Sequence, residues 1–230
     1  MEERGVARRF TASRRISLSD TDAHGRLRLD AVARYLQDVA SDDWEDAGFD
    51  SDAHVWVVRR TWLEVRAPFA GDEHVELATW CNGVAASAAA RRYSLAGDRG
   101  GSIEAESIWI HLDHSLRPKR LDERFLAVYG PAAEGRRAST RLVLPVRDGV
   151  RGERWPLRAT DVDRLGHVNN AAYWAPVEQA FAGELDGCVR AELEYRRPID
   201  GGDVVELARD GESLWLAVGG DVRAAARVTR

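Results

Sequence analysis

The chain has 230 residues, 44% of them hydrophobic and 31% charged, long enough to bury a core and too mixed for a disordered, collagenous or disulfide-stapled protein. No run approaches about 18 consecutive apolar residues, which excludes a membrane-spanning helix, and Met1-Glu2-Glu3-Arg4 lacks the basic-then-apolar opening of a signal peptide, so a cytoplasmic location is expected. The net charge of −5 argues against general nucleic-acid binding.

In chain order, a short strand is predicted at Arg14 to Leu18. It leads into an acidic loop, Ser19-Asp20-Thr21-Asp22-Ala23-His24-Gly25-Arg26-Leu27. Leu29, Val32, Leu36, Val39, Ala40 and Trp44 then recur at helical spacing, with Gly48 suited to the helix end. Alternating segments predict strands at Val55 to Arg66, His74 to Asn82, Ala89 to Leu95 and Ser102 to Leu112. Residues 121–154 break the pattern and read as a linker, with a short helix at Asp122 to Tyr129 and a strand at Arg141 to Val146.

Beyond the linker the layout repeats. A strand at Trp155 to Ala159 enters a second acidic loop, followed by a helix from about Asn170 to about Leu185. Pro176 predicts a kink or a late start in that helix. Strands follow at Val189 to Tyr195, Asp203 to Arg209, Ser213 to Val218 and Val222 to Thr229. The first acidic loop aligns with Thr160-Asp161-Val162-Asp163-Arg164-Leu165-Gly166-His167-Val168 at an offset of 141. Residues 63–78 align with 193–208 at an offset of 130, with nine of sixteen positions identical. Ala96-Gly97-Asp98 aligns with Gly219-Gly220-Asp221. Three matches in one order indicate a tandem duplication. Each copy is an α+β unit, one long helix wrapped by an antiparallel sheet, and the two sheets can pair edge to edge.

The second loop concentrates polar groups before a helix. Asp163 and His167 lie four residues apart, so a curled loop brings them to one space, where a carboxylate orients an imidazole or activates a water. Asn169 and Asn170 read as helix caps, and with Gly166 they are the expected supporting residues of the site. Amides at the helix start suit a developing oxyanion. Asp22 and His24 occupy the positions of Asp163 and Leu165 in the first copy, as a degenerate loop or as a second half-site. Gln37 and Glu178 match at the same offset of 141, each a polar residue on its long helix, either solvent-exposed or facing the other copy's loop. Cys81 and Cys188 read as reduced thiols. No metal or cofactor site is expected from their spacing.

The run D-x-D-x-x-G-H-V-N-N-x-x-Y, Asp161 to Tyr173, resembles the signature of hotdog-fold thioesterases. The wider pattern is similar to the tandem-hotdog acyl-acyl-carrier-protein thioesterases of plants and bacteria. It includes Tyr35-Leu36-Gln37-Asp38-Val39-Ala40, Val55-Trp56-Val57-Val58-Arg59-Arg60, Ser107-Ile108-Trp109-Ile110, Arg117-Pro118-Lys119-Arg120-Leu121 and Leu193-Glu194-Tyr195-Arg196-Arg197. The resemblance implies a substrate-binding hotdog at 1–120, a linker at 121–154 and a catalytic hotdog at 155–230, as a pseudo-dimeric monomer or a homodimer of tandem hotdogs. It implies hydrolysis of acyl-carrier-protein thioesters by Asp163 and His167, without a cofactor.

Two of that family's supporting groups are absent by alignment. Leu165 stands where an Asn is usual, and Pro198 and Ile199 stand where the plant enzymes carry an acidic residue. Asp200 is the nearest carboxylate, in a turn expected to point it outward. Rival readings are a coenzyme A thioesterase of the same fold and an acyl-binding module whose loop has decayed. An acyl tunnel would draw on Trp44, Trp56, Val57, Trp62, Trp109 and Ile110. An acidic carrier would meet basic pairs among Arg59-Arg60, Arg91-Arg92, Arg117 with Lys119-Arg120, Arg136-Arg137 and Arg196-Arg197.

Overall fold

The computed structural model describes residues 7–49, 55–147 and 149–230. In chain order the elements are β1 (Phe10–Arg15), α1 (Leu29–Asp46), β2 (Val55–Ala67), β3 (His74–Val84), β4 (Ala88–Gly97), β5 (Ser102–Leu112), α2 (Glu123–Ala133), β6 (Glu153–Trp155), α3 (Trp174–Ala180), β7 (Val189–Tyr195), β8 (Val205–Asp210), β9 (Ser213–Val218) and β10 (Asp221–Thr229). All ten strands join one sheet in the order β1-β3-β4-β5-β2-β7-β10-β9-β8-β6. That order reads as the same five-strand pattern run outward from the middle, so the duplication in the sequence is an approximate two-fold in the sheet. The axis falls in the β2–β7 seam. There Trp62 pairs with Glu192, with Thr61 against Leu193 and Leu63 against Ala191 on either side. Residues 62 and 192 are themselves related by the offset of 130. The two sheets therefore meet edge to edge as expected, and each hides one edge strand in the other.

α1 and α3 carry the core on their inner faces. Leu29, Val32, Leu36 and Val39 of α1 are buried in one cluster with Trp174, Val177 and Phe181 around α3. α1 ends where the sequence placed its stop. Gly48 takes φ +74°, a left-handed conformation that costs glycine least. Its N–H reaches Glu45 O at 2.8 Å, and Phe49 N–H reaches Trp44 O at 3.1 Å. This is the paired-bond helix stop that usually brings a hydrophobic contact with it. Here Phe49 stacks on Trp44 with ring centroids 4.3 Å apart.

The differences from the expected elements have local causes. β1 begins at Phe10 and stops at Arg15, because Leu18–Asp20 turn tightly. β6 stops at Trp155, since Pro156 has no N–H to give a ladder. The second long helix is short, Trp174–Ala180, preceded by turns at 170–173. Pro176 lies in its first turn, where a missing N–H costs nothing. The strand expected at Arg141 to Val146 does not form. Instead the N–H groups of Val143 and Leu144 point at the carboxylate of Glu194, a fully buried residue of β7. α2 runs longer than expected, capped by the Asp122 side chain, which accepts from Phe125 N–H at 2.7 Å.

Candidate active site

Each acidic loop is a tight reversal held by its own backbone. In the second copy Asp163 N–H donates to His167 O at 2.8 Å, and Gly166 N–H donates to Asp163 O at 3.0 Å. Gly166 takes φ +83°, and its first-copy counterpart Gly25 takes +81°. Asp161 is committed to structure: its carboxylate accepts Arg158 N–H at 2.8 Å and the Arg158 guanidinium at 2.7 Å. Asn169 caps the turn that follows, its Oδ1 accepting Ala171 N–H at 2.9 Å. Asn170 is fixed through its carbonyl, which accepts the Tyr195 hydroxyl at 3.0 Å, while that hydroxyl accepts Trp174 Nε1–H at 3.1 Å. Burial raises the Tyr195 phenol above its ordinary value and pushes that of Tyr173 up to about 12, and the Tyr173 hydroxyl accepts Ile199 N–H at 3.1 Å.

The extended pairing Val162↔Val168 sets Asp163 opposite His167, and the pairing His167↔Asp200 sets His167 opposite Asp200. The backbone register thus places His167 between Asp163 and Asp200. His167 Nδ1 lies 2.7 Å from Asp200 Oδ1. Asp200 does not turn away as expected, because Val168 N–H donates to Ile199 O at 2.8 Å and draws the 198–201 turn onto the loop. The imidazole thus leans on Asp200. Asp163 accepts Leu165 N–H at 2.8 Å through Oδ1 and lines a cleft of about 550 Å³ between the two halves.

α1 forms one wall of that cleft with Gln37, Ala40, Ser41 and Trp44. Trp56, Ala89, Arg91 and Trp109 from the sheet line it too, with Phe125 and Tyr129 of α2 and Asn169 and Asn170 from the second loop. The exposed side chains of Leu116, Arg164 and Leu165 rim it. Three tryptophans named from the sequence, Trp44, Trp56 and Trp109, are present. Trp62, Val57 and Ile110 are not. Val57 pairs with Ile110 on the other face of the sheet from Trp56. A bulge between Val58 and Arg60 then reverses the alternation, sending Trp62 outward between Arg92 and Arg190.

The first-copy loop is closed. Arg26 occupies the position of His167, and its guanidinium pairs with Glu178 and lies 3.1 Å from Asp22 Oδ2. Glu178 also accepts Leu29 N–H at 2.9 Å, so a carboxylate from α3 caps α1 across the pseudo-two-fold. Burial opposes ionisation of Asp22, but amide bonds from Arg26 and His24 and the Arg26 charge outweigh it and hold its carboxyl below the usual range. His24 is exposed. Asp22 and His24 therefore form no second open half-site. Gln37, the counterpart of Glu178, faces the open cleft beside Asn170. The sequence signal for this asymmetry was Arg26 aligned with His167.

The chain matches the family model of the acyl-ACP thioesterase N-terminal domain over residues 7–129 and that of the C-terminal domain over residues 148–218. It belongs to the acyl-ACP thioesterase family. It is 36% identical to an uncharacterized protein of Mycobacterium tuberculosis, over 96% of this chain and 92% of that one. It is 22% identical to the chloroplastic oleoyl-acyl carrier protein thioesterase 2 of Arabidopsis thaliana, over 80% of this chain and 58% of the relative. The fold is similar to that of the 12:0-ACP thioesterase of Umbellularia californica, with a TM-score of 0.77, 18% identity and 96% of each chain covered. As a member of the acyl-ACP thioesterase family the protein is a thioester hydrolase with the tandem hotdog architecture. Among the described residues no helix is long and apolar enough to cross a membrane, and no His, Cys, Asp and Glu group is placed to hold a metal ion.

Proposed function

We propose that the open cleft hydrolyses acyl thioesters delivered on acyl carrier protein, with Asp163 as the general base and His167, oriented by Asp200, as the proton carrier. The observation that carries this reading is Asp163 lining a cleft shared by both halves, with His167, bonded to Asp200, opposite it in backbone register. Asp163 takes a proton from a water as its oxygen attacks the thioester carbonyl. The developing oxyanion is met by the side-chain amides of Asn170 and Gln37, which line the cleft beside Asp163. Collapse of the adduct breaks the C–S bond, the protonated His167 gives its proton to the departing thiolate, and the proton held by Asp163 passes through water to recharge the imidazole. Its half-exposed ring suits a leaving group that lies toward solvent.

The acyl chain occupies the aromatic cleft between α1 and α2. Most of the arginine pairs named from the sequence are committed elsewhere. Arg91 is held by Asp43, Arg92 by Glu104, Arg196 by Glu194 and Arg197 by Asp221. Arg117, Lys119 and Arg120 are exposed next to Leu116 and make no ion pair among the described residues. Together with Arg164 they offer the rim a basic face for an acidic carrier. The test is hydrolysis of matched acyl-carrier-protein and acyl-coenzyme A substrates. Turnover should favour the carrier protein, and Asp163→Asn should lower kcat by at least about 10²-fold. Unchanged turnover in Asp163→Asn rejects the assignment of the base, and preference for coenzyme A rejects the carrier.

A further inference from the structure

Among the described residues, Arg91 is the charged side chain set between the aromatic walls of the cleft, away from Asp163 and Arg164 of the second loop. Arg91 projects from β4 and keeps 12% of its side-chain surface. Its Nη1 lies 2.6 Å from Asp43 Oδ2 and 3.3 Å from Thr79 Oγ1, and the Tyr129 hydroxyl is a further hydrogen-bonding neighbour of the guanidinium. Asp43 has no exposed surface and is also held by Arg8 Nε at 2.6 Å. One buried carboxylate therefore serves two guanidiniums, and the other partner of Arg8, Asp46, lies at the surface. The Arg91 guanidinium carbon sits 5.3 Å from the Tyr129 ring, among the aromatic groups that close this end of the cleft. A hydrocarbon chain packed there would strip water from a charged donor and return nothing, which is costly. An oxygen placed there would accept a charge-assisted hydrogen bond.

We propose that the cleft selects acyl groups that carry a hydroxyl or carbonyl oxygen toward their far end, with Arg91 as the residue that recognises it. The proposal rests on the thioesterase reading above. The helix supplies a ruler. Gln37, beside Asn170, and Asp43, bonded to Arg91, are six residues apart on α1. That is a rise of about 9 Å, which about eight bonds of extended chain would span at roughly 1.2 Å per bond.

The test compares kcat/KM of the full chain on octanoyl- and ω-hydroxyoctanoyl-pantetheine, with the hexanoyl and decanoyl pairs alongside. The oxygenated member of the best-fitting pair should be turned over about tenfold better, the value of one hydrogen bond to a charged group. Arg91→Met should bring the pair together. Because that change leaves Asp43 with Arg8 alone, Asp43→Asn combined with Arg91→Met is measured beside it and should show the same loss of preference. Equal or better turnover of the alkyl member by wild type at every length overturns the proposal and leaves the thioesterase reading intact. If no thioester is hydrolysed, that reading fails. Recognition is then decided by binding of octanoate against ω-hydroxyoctanoate, read from quenching of Trp44, Trp56 and Trp109. Tighter binding of the hydroxy acid supports the assignment, and equal or weaker binding overturns it.

Discussion

His167 stands between Asp163 and Asp200 in backbone register, and its Nδ1 contact with Asp200 leaves Nε2 for proton transfer. His167→Ala should therefore lower kcat on acyl-carrier-protein substrates by about 10²-fold, as loss of an acid–base group does. Asp200→Asn, which keeps an oxygen near Nδ1 but removes the charge, should lower kcat less and leave KM unchanged. Steady-state kinetics on both variants would check this, and equal kcat for Asp200→Asn and wild type would mean that the contact is only structural. Asp163 stood out because Asp22 recurs in register with it, and His167 because it follows four residues later where the first copy has Arg26. Asp200 did not, because alignment assigns the acidic position to Pro198 or Ile199. What brings Asp200 in is a backbone bond from Val168 to Ile199, and such a bond leaves no side-chain signature. Leu165 illustrates the reverse. Its departure from the family's Asn was plain in sequence, but its place on the exposed rim of the cleft needed the turn at Gly166.

At the scale of elements, α1 is held at its start by charges from two sources. Glu178 of α3 binds Arg26 and Leu29 N–H, and Asp30 in the first turn binds Arg28 and Arg34. Glu178→Ala would leave Arg26 with Asp22 alone in a largely buried site. Removing one partner of such a pair should cost about 3 kcal/mol, read as a lowered urea midpoint. Asp30 adds a pH dependence. Burial alone would raise its pKa, but hydrogen bonds from Arg28 and Arg34 overcome this and hold its carboxyl below the usual aspartate range. A folded pKa below the unfolded one means that the unfolded chain binds the proton first. The stabilisation is thus present above the unfolded value and is lost as pH falls through the folded one. Wild type should lose stability on acidification below about pH 4 more steeply than Asp30→Asn, as urea titrations at stepped pH would record. Identical acid limbs would show that Asp30 contributes nothing to them. Helical spacing alone revealed α1 and its Gly48 stop. The short α3 was harder, since apolar residues continue past Ala180 while Gly183, at φ +77°, ends the turn that follows.

Across the whole molecule, the duplicated halves share a sheet seam and a core, so neither half holds its hydrophobic surface alone. The sequence showed two copies and the chance of edge pairing. It could not show which edges meet, because β2 and β7 alternate like every other strand and their register is set only when Trp62 lies against Glu192 on the axis. The asymmetry of function follows from the same geometry. With one axis relating two loops, Arg26 with Glu178 closes one side, and Gln37, the counterpart of Glu178, faces the open cleft on the other. Closing the first site also braces α1, the wall of the second. Stability of the halves should then be coupled through the seam. Leu193 is fully buried opposite Thr61, and Leu193→Ala deletes a core side chain there at a cost of about 2–5 kcal/mol. If the halves unfold as one unit, native-state hydrogen exchange should accelerate together in the slowest amides of α1 and of β9, although α1 lies in the first half and β9 in the second. Acceleration confined to β7, β9 and β10 would instead mean that the first half keeps its fold when the seam opens. The open cleft would then depend on the second half only for Asp163 and the loop around it.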